Sequence, residues 1–203
     1  MGTAEELAFS LREEGHGVHA LLWDAPDDLV HALLVLRASL AEMPVYPLLM
    51  AGEQSFAELQ KYINSRCPIQ GDTEAQTASG ATAARSLAFI FLPQASSRHT
   101  GGWLNGWRSP LSEPLGTLLV IRHADFDAFQ RSAPDLASFI GPRIHDASTM
   151  LSILSDETAA KISTALPPEW ERIVQQLPGK PPTKADIQSW LVAHTKLDGG
   201  SGK

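Results

Sequence analysis

Apolar residues in this chain fall into two patterns, unbroken short runs and runs spaced three and four apart. Val18–Trp23, Ser86–Leu92 and Gly116–Arg122 are nearly continuous apolar segments, apolar toward both sides as central strands of a parallel sheet must be. Val45–Met50 reads as a shorter strand, and Pro44 and Pro47 move it toward an edge, because proline cannot donate to a sheet ladder. Between these runs the spacing turns helical. Thr3 and Glu6 form a capping-box pair ahead of Leu7, Ala8 and Leu11, predicting a helix over 3–14. Leu29, Val30, Leu33, Leu34, Leu36 and Leu40 give a helix over 27–42; Phe56, Leu59, Tyr62 and Ile63 give one over 55–65.

The middle of the chain continues in the same way. A helix carrying Trp103, Leu104 and Trp107 is expected over 101–113, and one carrying Phe126 and Phe129 over 125–132. Ala133-Pro134-Asp135 ends the latter; residues 136–144 fit a helix or a strand, and 148–154 are apolar enough to be buried without a clear period. Residues 67–84 have neither period nor apolar density and read as a surface excursion, mobile at its centre. From Pro167 onward the pattern is a helical hairpin. Pro168 takes a favoured first-turn position, 177–182 form a stiff connector, and Thr183 with Asp186 caps a last helix carrying Ile187, Trp190 and Leu191. The expected architecture is therefore α/β and three-layered, a mostly parallel sheet with flanking helices over 1–155. A C-terminal helical hairpin over 165–198 and a flexible tail at 199–203 complete it.

Composition narrows the function classes. With 16 Lys+Arg against 23 Asp+Glu the net charge is −7 and no basic cluster interrupts it, so a nucleic-acid partner is not expected. Cys67 is the only cysteine, which rules out an internal disulfide and suits a reducing, cytoplasmic location. No apolar run approaches the ~20 residues that cross a bilayer, so no membrane partner is expected either.

Nucleotide binding is the first chemistry to test on such a sheet. After the first strand the chain reads Asp24-Ala25-Pro26-Asp27-Asp28, three carboxylates and a proline where a phosphate loop needs glycines and a lysine. Gly101 and Gly106 have phosphate-loop spacing, but Trp107 stands in the lysine position. For metal, His16 and His19 are the only close histidine pair, too few for a closed site, and no metal or cofactor is expected. For covalent catalysis there is no nucleophile-elbow motif. Cys67 paired with His99 is the one thiol arrangement left open. Paired carboxylates such as Asp27/Asp28 and Asp125/Asp127 favour helix N-termini through the dipole.

Two motifs remain, Leu104-Asn105-Gly106-Trp107-Arg108 and Ala133-Pro134-Asp135-Leu136-Ala137-Ser138-Phe139. In their strand–loop–helix setting they resemble the degenerate P-loop, STAND-like ATPase modules of bacterial conflict (defence) systems. The resemblance covers about 60 residues. It would give the strand 86–92 the Walker B position, yet Phe91-Leu92-Pro93-Gln94 offers no acid for magnesium, and the Walker A lysine loop is absent too. What the resemblance implies is a non-hydrolysing relative kept for its surfaces. Such a protein would be an adaptor or regulatory subunit of a bacterial multi-protein system, of the kind found in antiviral defence, with another protein of that system as partner. It also makes Asn105, Arg108, Pro134 and Asp135 structural or partner-contact positions. Trp103 and Trp107, four apart beside an arginine, match the residue types that anchor protein interfaces, although both rings could equally pack against the sheet. An enzyme built on Cys67 and a histidine, or a nucleotide binder without hydrolysis, are the alternative functions.

Overall fold

A computed structural model describes residues 3–14, 17–66, 86–93, 98–112, 115–150, 154 and 156–195. The excursion at 67–84, Cys67, His16, Gln94 and the tail at 199–203 lie outside the described residues. Five strands, β1 (Gly17–Trp23), β2 (Val45–Leu49), β3 (Ser86–Leu92), β4 (Leu115–Arg122) and β5 (Ile144–Asp146), form one sheet in the order β2-β3-β4-β1-β5. Every pairing is parallel. Strands β1 and β3 are buried at all seven positions, which is why they read as unbroken apolar runs.

Strand β2 is an edge strand, as its prolines predict. Leu87 donates its backbone N–H to Pro44 and Met50 donates to Phe91, so alternate residues of β2 turn their polar backbone groups inward. Pro47 falls on the outward-facing set, where a missing N–H breaks no bond and blunts the edge.

The strand order dictates where the helices go. The connection from β1 to β2 runs one way along the sheet; those from β2 to β3, β3 to β4 and β4 to β5 run the other way. Right-handed crossovers then place α2 (Pro26–Ser39) on one face. Helices α3 (Glu53–Arg66), α4 (Arg98–Gly106), α5 (Arg108–Ser112), α6 (His123–Ser132) and α7 (Pro134–Ile140) go to the other. The buried clusters follow this division. Val18, Ala20, Leu22, Ala88, Ile90, Leu119 and Ile121 meet Phe56, Leu59, Leu104, Phe129 and Leu136 on the second face.

One crossover helix cannot cover five strands, and the α2 face is completed by the chain's two ends. Helix α1 (Ala4–Glu14) lies against α2 with Leu7 and Leu11 fully buried; its Thr3–Glu6 capping box is formed in both directions, at 2.7 and 3.1 Å. Helices α8 (Asp156–Lys161), α9 (Pro168–Val174) and α10 (Lys184–His194) cover the rest. Trp170 of α9 packs on Phe89 of β3 with ring centroids 5.2 Å apart, and Trp190 of α10 stacks on His31 of α2 at 4.1 Å. The hairpin helices thus share the core of the α/β unit. Gly179 in their connector adopts φ +101°, and a Cβ there would strike the Pro26 ring at the head of α2. The Thr183–Asp186 capping box forms as expected.

Three local readings change. The helix expected over 101–113 is two, α4 and α5, with Trp107 at the break. Residues 136–144, open between helix and strand, divide: α7 ends at Ile140, Gly141 turns the chain at φ +52°, and β5 begins at Ile144. Strand β5, with Arg143-Ile144-His145-Asp146 at its start, is too short and too polar to give an apolar signal; β1 alone holds it.

Candidate functional site

In an open parallel sheet the ligand crevice lies at the carboxyl ends of two neighbouring strands whose following helices leave to opposite faces. Here those strands are β1 and β4, followed by α2 and α6. Four short segments meet there: Asp24 after β1, Asp27 and Asp28 in the first turn of α2, Arg122-His123 at the β4–α6 junction, and Asp146 at the end of β5. His123 Nδ1 lies 3.2 Å from Asp24 Oδ2 and 3.7 Å from Asp146 Oδ2. Asp146 is held in place because its Oδ1 accepts from the Ser148 backbone N–H (2.9 Å) and hydroxyl (2.6 Å). The Arg122 guanidinium lies 5.8 Å from the Trp23 ring centre, with Nε buried and lacking a hydrogen-bond partner.

The crevice gathers more carboxylates than cationic groups. Partial burial raises the Asp28 carboxyl above its ordinary range, and the charges of Asp27, Asp146 and Asp24 push it in the same direction. The three carboxylates read from the sequence are thus joined by a fourth, Asp146, from more than a hundred residues away. Such a mouth attracts cations and repels phosphate. Among the described residues, no group of three or more His, Cys, Asp or Glu has the arrangement to hold a metal ion. His123 and Asp146 carry no sequence signal, since their meeting depends on the strand order.

The six residues singled out from the motifs come together on the opposite layer. Asn105 reaches from α4 to the head of α7: its Oδ1 accepts the Leu136 backbone N–H at 2.9 Å and its Nδ2 donates to Asp135 Oδ2 at 3.0 Å. Arg108 pairs with the same Asp135 oxygen at 3.3 Å. Pro134 opens α7 at a position that needs no N–H, and the N-cap residue Ala133 has no side chain to cap it. The two motifs are therefore halves of one internal clamp in which Asn105 supplies the missing cap. Trp103 and Trp107 differ. Both are half-buried, stacked on each other at 4.9 Å and 10°, and Trp103 leans on the buried Phe56 at 4.5 Å. The aromatic column runs from the core out to solvent, with the exposed Arg108 beside it. His99 meets Phe56 edge-on at 5.4 Å.

Two histidine sites lie elsewhere. His19 of β1, buried, and His145 of β5 face each other nitrogen to nitrogen at 3.2 Å, and burial lowers the His145 pKa. His31, 7% exposed, is sandwiched against Trp190, and burial pushes its pKa down to about 4. Among the described residues no helix is long and apolar enough to cross a membrane.

Compared with known proteins, the chain matches no family model and no curated protein. A solved structure of the Mss116p DEAD-box helicase domain 2 bound to an RNA duplex aligns over 79% of this chain at 10% identity and a TM-score of 0.26. The chain spans 65% of that chain's length, and a likeness at this level carries no argument about fold or function.

Proposed function

We propose that the protein is a non-catalytic interaction subunit, an adaptor or regulator that binds another protein of a bacterial multi-protein system such as antiviral defence. In this reading it is a degenerate STAND-like module whose sheet serves as a platform. The observation that carries the proposal is the crevice between β1 and β4. Where a nucleotide-handling sheet would cradle polyphosphate, this chain converges Asp24, Asp27, Asp28 and Asp146, and the Asp28 carboxyl is raised first by burial and then by the charges of the other three. The surface best suited to a partner is the Trp103–Trp107 column with Arg108 at its side, since stacked, half-covered tryptophans beside an arginine can bury large area with little entropy cost.

The test has two arms. Thermal denaturation with and without about 5 mM magnesium-ATP is expected to show no shift, because stabilisation follows RT ln(1 + [L]/Kd) and a mouth that repels phosphate holds Kd far above that concentration. Tagged protein purified from its native host is expected to bring down a stoichiometric partner that the Trp107→Ala variant loses. A clear ATP-dependent shift, or a monomer with no partner, would overturn the proposal.

A further inference from the structure

A pocket of about 180 Å3 lies among α2, the segment 164–166, α9 and the start of α10, one turn of α2 beyond Asp27. Its floor is apolar: Val30 of α2, Val174 of α9 and Ile187 of α10 are all buried, with Leu166 beside them. Its remaining lining includes two exposed charges, Glu171 of α9 and Lys184, the first residue of α10. Neither side chain makes a hydrogen bond or ion pair with any other described residue.

An apolar floor under one unpaired carboxylate and one unpaired ammonium is complementary to a small molecule carrying both charges and one apolar substituent. We infer that this pocket binds a free apolar α-amino acid, its ammonium toward Glu171, its carboxylate toward Lys184 and its side chain on Val30, Val174 and Ile187. Size agrees. A cavity of about 150 Å3 admits benzene, so a pocket of about 180 Å3 has the room for a leucyl or benzyl group. The end of a peptide would satisfy only one of the two charges, and a plain hydrocarbon neither. A zwitterion answers both at once, and each interaction is strengthened because the ligand's apolar part excludes water between them. None of its lining residues belongs to the crevice or to the tryptophan column. It is built from the helices that close the α2 face, so an occupied pocket would join α9 and α10 more firmly to α2.

The test uses the full chain and a ligand series with a common phenyl group: phenylalanine (both charges), 3-phenylpropionate (carboxylate only) and phenethylamine (ammonium only). Saturation-transfer NMR and calorimetric titration are expected to show phenylalanine binding at least about fivefold tighter than either singly charged analogue. Glu171→Gln should reduce phenylalanine to the affinity of 3-phenylpropionate, and Lys184→Gln should reduce it to that of phenethylamine. Both residues are exposed, so neither change threatens folding. No saturation transfer from phenylalanine at about 10 mM would overturn the inference. So would equal affinity across the series, or rim variants that leave the ranking unchanged.

Discussion

Replacing Asn105 with alanine separates an internal clamp from a partner contact. The side-chain oxygen of Asn105 caps the Leu136 N–H at 2.9 Å, and Leu136 is fully buried while Asn105 covers it, so the change removes the partner of a sheltered donor. Losing a helix cap costs about 0.5–2 kcal/mol, and a buried donor left unsatisfied about 1–3. These describe the same bond, so the expected loss is about 2 kcal/mol. The Arg108–Asp135 pair at the same place is half-exposed on both sides, at 50% and 61%, and Asp135→Ala should cost less than about 1 kcal/mol. For a chain of this length, 2 kcal/mol lowers Tm by roughly 4–8 °C. Chemical and thermal denaturation of both variants, at unchanged m-value, provides the assay. An Asn105→Ala variant within about 1 °C of wild type would refute the clamp and leave Asn105 available for another chain.

Acid should weaken the docking of α10. His31 is held near pKa 4 by burial, with Asp27 and Asp186 favouring its charge and His194 opposing it, whereas the unfolded chain protonates it near 6.5. Stability from the neutral ring is therefore complete above pH 6.5 and lost as pH falls toward 4, by about 2 kcal/mol at pH 5. Urea midpoints between pH 7.5 and 5 should fall in wild type and much less in His31→Phe. Asp28→Asn should raise Tm at pH 7, because the carboxylate's penalty is present above its raised pKa and vanishes below the unfolded value of 3.8; a midpoint difference that persists at pH 3 would contradict this. Gly101→Ala should destabilise by about 1–3 kcal/mol, since its Cβ would overlap Ser132 where α4 crosses α6, and Ser132→Gly in the same chain should recover much of the loss in a denaturation titration.

Much of the architecture was legible along the chain because its causes are local. Strands β1, β3 and β4 announce themselves as apolar runs, Pro47 marks the edge, and the Thr3–Glu6 and Thr183–Asp186 pairs cap the helices that their spacing predicts. Local pattern failed where polar residues of short elements were held by distant neighbours. Strand β5 exists because β1 accepts it, and the break between α4 and α5 falls at Trp107, which stacks on Trp103. The tryptophan column was visible as a spacing, but the clamp through Asn105 required α4 and α7 to be brought together across β4 and α6.

The sequence by itself determined strands β1 to β4 and the longer helices, and that the turn after β1 is acidic. Only the tertiary structure decided which face each helix covers and which carboxylates share the crevice with His123. The physical reason lies in the sheet. A parallel strand buried on both sides is apolar at every position, so it carries no phase to say which side a helix will take. That choice follows from strand order and the right-handed crossover, which leave the α2 face open for α1, α9 and α10 and bring Asp146 beside Asp24.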